Sequence, residues 1–478
     1  MRSRGTDVVL GQTRHVHFVG IGGIGMSGIA ELLANLGYVV SGSDARASEA
    51  TTRLSSLFGV TVHLGHDAAH VNGADVVVVS SAVKPTNPEV VEARLLGVPV
   101  IPRAEMLAEL MRLRFAIAVS GAHGKTTTTS MIAWLLERAG LDPTAVIGGR
   151  LSAFGSNARL GQGKYLVAEA DESDRSFLLL WPSIAVITNI DREHMESYGS
   201  FADLQEAFVT FANKVPFYGA VVACVDDPHV AALVPRCSRP VVTYGLASPD
   251  ADIEGTDVEL GPFGGRCQVR RRERSAEGVT VVPMGELRVA APGRHNLQNA
   301  LAAVAVAEEI GVPFTAVQAA MAEFTGAERR FDRRGEADGV LVVDDYGHHP
   351  TEIAAVLAAA RVTLERRIVV AFQPHRYSRT AHLMDEFAPA FAEADEVVLT
   401  GIYAAGEEPI PGVTVEALAD SLRKAGRTVH LAPGLADVVP TLLRVTRPGD
   451  AVITLGAGSI GTIPAALLTA LGSRQEAR

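Results

Sequence analysis

The chain has 478 residues, 47% of them hydrophobic and 20% charged, with a formal charge of −11. That length suits about three globular domains, and the acidic balance argues against a nucleic-acid or anionic-lipid surface, whose footprint is basic. Cys224, Cys237 and Cys267 are odd in number and form no C-x-x-C pair, so neither a disulfide framework nor a zinc site is expected.

No apolar run approaches the roughly 18 residues of a membrane span, and Met1 to Gly11 lacks the apolar centre of a secretory signal. A cytoplasmic protein without a membrane partner is expected. The first unit opens with a short strand, His15 to Val19, followed by GIGGIGMSGIAELLANLG. Gly20, Gly22 and Gly25 form G-x-G-x-x-G between a strand and a helix, and Asp44 follows the second strand, near the ribose-binding acid of a dinucleotide fold. The pattern predicts a site for a phosphate-bearing ligand; the alternative is glycines that serve only close helix–strand packing. Strands at Val76 to Val79 and Val98 to Ile101 continue the alternation, and the charged MRLR run marks a boundary that closes a first domain at residues 1–113.

The central domain, 114–325, begins with FAIAVSGAHGKTTTT. A strand runs into a glycine loop and then a helix, the arrangement in which backbone N–H groups and a helix N-terminus converge on an anion. Lys125 is expected on the β- and γ-phosphates of a nucleotide and the Thr126 hydroxyl on magnesium. The loop is a shortened G-x-x-G-K-T, since Val119 stands where the usual phosphate loop has glycine. Two further strands, Tyr165 to Ala168 and Ile184 to Thr188, deliver Glu169, Asp171, Glu172 and Asp174, then NIDREHMESYG, to the same edge. Together with Lys125 these groups are suited to magnesium around a triphosphate. Val221 to Val289 reads as strand-rich, with the RRRER run at Arg270 to Arg274 as a solvated strand or hairpin face. The next helix carries His295, Asn296 and Asn299, where helix capping would by itself explain Asn296.

A charged, glycine-containing segment from Thr325 to Gly339 reads as a hinge. The third domain, 326–478, alternates strand and helix four times, and two strand ends carry DDYGHHP and QPHRYSR. Ligands of open α/β sheets bind at such ends. Arg376 and Arg379 are candidates to clamp a carboxylate, with surface ion pairs as the alternative.

GIGGIGMSGIA, SGSD, GAHGKTTTT, EADESD, the Asn189 to Gly199 segment, GRHNLQNA, ERRF, DDYGHHPTE and QPHRYSRT stand in the order seen in the Mur ligase family of peptidoglycan synthesis, and the chain resembles its alanine-adding branch from about Arg14 to Gly461. The resemblance implies an α/β protein of three domains: a Rossmann-like N-terminal domain, a central P-loop ATPase-type domain and a Rossmann-like C-terminal domain. It implies ATP and Mg2+ as cofactors, and UDP-N-acetylmuramate and L-alanine as substrates of a monomer or homodimer. It also moves the first glycine motif from a nicotinamide cofactor to the UDP-sugar, around Gly20, Gly22, Gly23, Gly25, Asp44, Ser81 and His123.

By the same resemblance Gly121, Gly124, Lys125, Thr126 and Thr127 hold the triphosphate, and Thr126, Glu169 and His194 order magnesium. His295 and Asn296 lie by the adenine, Arg330 by the γ-phosphate and Asp345 by the ribose. Tyr346, His348, His375, Arg376 and Arg379 face the amino acid, with Lys125, Arg330 and His348 at the reaction. Several Mur ligases place a carbamylated lysine downstream of the magnesium histidine; here Val209 occupies that offset and the next lysine is Lys214, as the alanine-adding branch leads one to expect.

The implied reaction activates the lactyl carboxylate as an acyl phosphate, which the amine of alanine then attacks; the general base stays open between His348, substrate phosphate and water. Closure of the third domain is expected to exclude water. The rivals are a ligase that recycles a tripeptide onto UDP-N-acetylmuramate, a nicotinamide oxidoreductase, which leaves the Lys125 loop unexplained, and a nucleotide-gated binding protein without chemistry.

Overall fold

The computed structural model describes residues 10–80, 82–151, 156–193, 195–261, 264–275, 278–324, 326 and 329–476. Three sheets organise an α/β chain of three domains. The first has five parallel strands in the order Thr61–Leu64, Val39–Asp44, His15–Val19, Val76–Val79, Val100–Pro102. The chain reverses its winding direction at His15–Val19, so the glycine loop opens at the point where neighbouring connections leave in opposite directions.

The second sheet has ten strands. At its centre Phe115–Ser120 lies between Ile184–Ile187 and Tyr165–Glu169, parallel to both. Register sets Val119 beside Glu169 and Ser120 beside Ile187, so three loops leave the sheet together. Strands Gly264–Ser275 and Gly278–Val289 extend the far edge. Arg270, Glu273 and Arg274 are exposed there, as a solvated strand face requires.

The third sheet runs Asp332–Ala337, Val340–Asp345, Asp450–Leu455, Arg367–Phe372, Glu396–Thr400, Thr428–Ala432, parallel except for the first strand. Its residues alternate between two apolar clusters: Leu341, Val343, Ile368 and Val370 face one, and Val340, Val342, Val369 and Ala371 the other. A strand buried on both faces therefore reads as a continuous apolar run.

Three parts of the chain differ from the sequence-based expectation. Asp332–Ala337 is an antiparallel edge strand within the segment expected to be a hinge. Its charged residues point to solvent, so no alternating apolar pattern betrays it. The edge strands Thr61–Leu64 and Thr428–Ala432 were also without a sequence signal. The helix Arg294–Ile310 begins ahead of Asn296, whose side chain donates to the Pro292 carbonyl at 2.7 Å from within the first turn, so it is not the cap.

The chain groups into two compact units, Met1–Thr256 with Gln268–Leu287 and Gln298–Ala322, and Asp257–Cys267 with Arg288–Leu297 and Glu323–Arg478. Within the first unit the first two sheets share one apolar core: Met106, Leu107 and Leu110 of helix Arg103–Met111 belong to the same cluster as Phe177, Leu180 and Phe208. Cys224 and Cys267 are buried and Cys237 half-buried, all as free thiols. Among the described residues no helix is long and apolar enough to cross a membrane.

Candidate active site

In the first unit the strand Phe115–Ser120 delivers Gly121 with φ +139° and Gly124 with φ +80°, and the helix Lys125–Arg138 starts on Gly124. A Cβ at Gly121 would strike the Thr188 hydroxyl, and one at Gly124 would stand 2.8 Å from Asn299 Oδ1, so both loop glycines are required for close approach as well as for φ. Asn189 braces the loop: the Ala122 N–H donates to its carbonyl at 3.2 Å and the His123 N–H to its Oδ1 at 2.7 Å. The first-turn N–H groups of the helix have no acceptor inside the helix and remain the donors for an anion.

Lys125 Nζ donates to the carbonyls of Gly121 at 2.5 Å and Ala122 at 3.1 Å and to Glu172 Oε1 at 2.8 Å. Burial alone would lower its pKa, but Glu172 and Asp171 outweigh that and hold the ammonium charged. A triphosphate would exchange places with these acceptors. Thr126 lies in the helix's first turn, Thr127 is buried behind it, and Glu169 ends the adjoining strand. His194 and Ser81 lie outside the described residues. Lys214 is turned away from metal chemistry: its Nζ donates to the Leu178 carbonyl and sits 4.4 Å from the centre of the Trp181 ring, and Val209 is buried in a helix.

His123 belongs to the phosphate loop, where its Nε2 is 3.0 Å from Asp191 Oδ2. The other residues expected around a UDP-sugar gather at the first sheet. Gly20 has φ +80°, and the Gly22 N–H donates to Asp44 Oδ2 at 2.8 Å. Gly23 precedes the helix Ile24–Asn35, and Gly25 leaves room for the Arg103 guanidinium at that helix's start, where a Cβ would meet it. Arg103, cationic at a helix N-terminus, was not singled out in the sequence, because a lone arginine after a short strand carries no motif.

In the second unit Asp344 and Asp345 end one strand and organise the loop around Arg330. Arg329 donates to Asp344 Oδ2 at 2.9 Å and to the Gly456 carbonyl at 2.8 Å. Arg330 lies 3.5 Å from Glu352 and 5.4 Å from the centre of the Tyr346 ring. Arg329 and Phe331, on either side, take left-handed backbone at φ +57° and +52°, costing on the order of 1–3 kcal/mol each. Asp345 accepts from the Phe331 N–H at 2.7 Å and the Gly347 N–H at 2.6 Å, so here it fixes two loops; a ribose contact would have to share those oxygens. Burial pushes its carboxyl up to about 6 against the opposing Arg330 charge. His295 is pushed down to about 4, by burial and then by Arg330.

Tyr346, His348 and His375 form a row of rings, at 5.6 Å and then 5.5 Å between centres. Arg379 Nη1 lies 3.3 Å from His375 Nδ1, and Arg376 opens the helix Tyr377–His382. Burial, then His348, Arg379 and Arg376, push His375 down to about 3, so the ring is neutral near pH 7. A neutral imidazole beside the Arg379 guanidinium would suit a zwitterion, with the cation open to a carboxylate and a ring that would not repel an ammonium.

Comparison with known proteins covers the chain almost end to end. Residues 15–115 match the Mur ligase family catalytic domain, 119–307 the Mur ligase middle domain and 329–458 the Mur ligase glutamate ligase domain. The UDP-N-acetylmuramate–L-alanine ligase of Geobacter sp. (strain M21) is 54% identical over 98% of this chain and 99% of its own length. That of Myxococcus xanthus is 55% identical over 96% of each. Among solved structures, the UDP-N-acetylmuramate–alanine ligase of Thermotoga maritima superposes with TM-score 0.79 at 30% identity, covering 97% of this chain and 100% of its own. A murein peptide ligase from Psychrobacter arcticus does so with TM-score 0.69 at 26% identity, over 96% and 99%.

Proposed function

The chain belongs to the Mur ligase family, and from that premise we propose that it uses ATP to join L-alanine to the lactyl carboxylate of UDP-N-acetylmuramate in peptidoglycan precursor synthesis. The observation that carries the reading is similarity to an alanine-adding ligase over 98% of the chain. The tripeptide-recycling alternative has weaker support, since the tripeptide ligases of solved structure match at 26% and 32% identity, the latter over only 65% of this chain, against 51% to 55% for curated alanine-adding ligases over nearly its whole length.

Condensing a carboxylate with an amine needs a leaving group, because oxide is expelled poorly and the amine is largely protonated. Lys125 moves from Glu172 onto the phosphates and, with Arg330, spreads the charge of phosphoryl transfer to the lactyl carboxylate. The carboxylate oxygen takes the γ-phosphoryl as ADP leaves with the bonding electrons, and an acyl phosphate results. Arg376 and Arg379 hold the carboxylate of alanine, its amine gives up a proton to His348, substrate phosphate or water and attacks the acyl carbon, and phosphate leaves with the bonding electrons.

The donor set at the phosphate loop fits magnesium. Thr126, Glu169 and the buried Ser120 hydroxyl, which has no hydrogen-bond partner among the described residues, are hard oxygen donors. Thr126 and Glu169, with His194, would hold the ion, which when bound supplies neutralisation of phosphoryl charge. Dependence on ATP supports a cytoplasmic reaction.

Phosphate release measured with ATP, magnesium and UDP-N-acetylmuramate, with and without each amino acid, tests the proposal. Release that depends on alanine, with a product heavier by one alanyl residue in mass spectrometry, is expected. Release that depends on the tripeptide instead, or none at all, overturns it.

A further inference from the structure

The segment Gly401 to Glu407, GIYAAGE, carries no motif in the sequence, yet it is fastened to the loop that bears His375, Arg376 and Arg379. The Tyr403 N–H donates to the Pro374 carbonyl at 2.8 Å, and the Arg376 N–H donates to the Tyr403 carbonyl at 2.8 Å. Glu407 accepts from the Ser378 N–H at 3.0 Å and from its hydroxyl at 2.6 Å. These bonds hold the end of strand Glu396–Thr400 against the end of strand Arg367–Phe372.

The Tyr403 ring stacks on His375, with centres 5.5 Å apart and planes 12° from parallel. It is 41% exposed and so adds little to the apolar core. Room has nevertheless been made for it. A Cβ at Gly458 would stand 2.7 Å from Tyr403 Cγ and 2.7 Å from Gln373 Oε1, so only a bare backbone fits beneath the ring.

We propose that Tyr403 is the wall that limits side-chain size in the amino-acid site, admitting alanine and excluding longer residues. The proposal rests on the reading of His375, Arg376 and Arg379 as that site. An amino acid presents three groups from its α-carbon. Its carboxylate belongs to the two guanidinium groups, and its amine must face the activated carboxyl at the end where Arg330, Tyr346 and His348 gather. The side chain is left the remaining direction, along His375, where the Tyr403 ring stands. Tyr403 is thus a positioning and selecting residue with no part in proton or phosphoryl transfer.

The test compares kcat/KM for L-alanine and L-2-aminobutyrate, which is one methylene longer, in the full-length wild type, Tyr403→Phe and Tyr403→Ala. A methylene in an apolar pocket is discriminated about 10- to 200-fold. Tyr403→Phe, which keeps the ring, is expected to retain the wild-type ratio. Tyr403→Ala is expected to shift it by about tenfold toward 2-aminobutyrate, while KM for ATP stays unchanged. Should Tyr403→Ala turn over too slowly, Tyr403→Leu reads the same ratio with a smaller wall. An unchanged ratio in the ring-less variants overturns the proposal, as does an equal shift in Tyr403→Phe. A wild type that ligates no alanine overturns the functional reading instead, so the two failures are distinguishable.

Discussion

Lys125 and Arg379 carry charge to different substrates, so their removal has different kinetic signatures. Lys125→Ala leaves the buried Glu172 carboxylate without the ammonium 2.8 Å away and takes one donor from the transferring phosphoryl group. Its turnover should fall on the order of 10² to 10³; turnover equal to wild type in a phosphate-release assay would remove Lys125 from the mechanism. Arg379→Ala gives up a charge-assisted bond to the amino-acid carboxylate, a loss of about 1.5–3 kcal/mol. KM for alanine should therefore rise about tenfold to a hundredfold while KM for ATP holds; a change confined to ATP would contradict the assignment. His375 makes a pH statement: its ring, pushed down to about 3, stays neutral across the working range. A chemical-shift titration of that imidazole from pH 5 to 8 should be flat, and an inflection near 6.5 would show that the half-buried geometry beside Arg379 is wrong.

At the scale of elements, Glu89 ties the first sheet to the helix Pro88–Leu95 and to the turn Ala68–Val71. Ser43 Oγ donates to it at 2.5 Å, His70 Nδ1 is 2.6 Å away and His17 Nε2 3.9 Å. Burial opposes its ionisation, but these partners hold its carboxyl at about 2, below the ordinary 4.5. A depressed carboxyl pKa contributes stability that is present above about pH 4.5 and is lost as pH falls toward 2. Glu89→Gln should lower the unfolding free energy by about 2 kcal/mol at pH 7. The gap to wild type should narrow below about pH 4.5 in urea melts. A gap that widens on acidification would contradict the partner set.

For the whole molecule, the two compact units predict separate responses to ligands. The glycine loop, Asp44, Arg103 and His123 all lie in the unit that begins at Met1. UDP-N-acetylmuramate at about a hundred times its Kd should stabilise that unit by about 2.7 kcal/mol. Hydrogen exchange followed by mass spectrometry should slow there, while peptides of the third sheet keep their ligand-free rates. Equal protection of both units by the UDP-sugar alone would place part of its site elsewhere.

What could be read from the chain were the features in which chemistry is local. The phosphate loop, the G-x-G-x-x-G turn, and the DDYGHHP and QPHRYSR strand ends need particular residues at fixed spacing, because a tight turn or a helix start is built from consecutive backbone units. The buried parallel strands were legible for a similar reason, since both their faces must be apolar. The edge strand Asp332–Ala337 was not, because its charges satisfy solvent as well as a loop would. Tertiary structure alone decided the pairings between distant segments: Lys125 with Glu172, Asn189 bracing the phosphate loop, Arg103 over Gly25, and Tyr403 stacked on His375 above Gly458. Three of the four join loops that leave neighbouring strands of a sheet, and Arg103 reaches Gly25 across the intervening strand Val76–Val79. Strand order is set by how whole helices and sheets bury their apolar faces, a property that no window of adjacent residues contains.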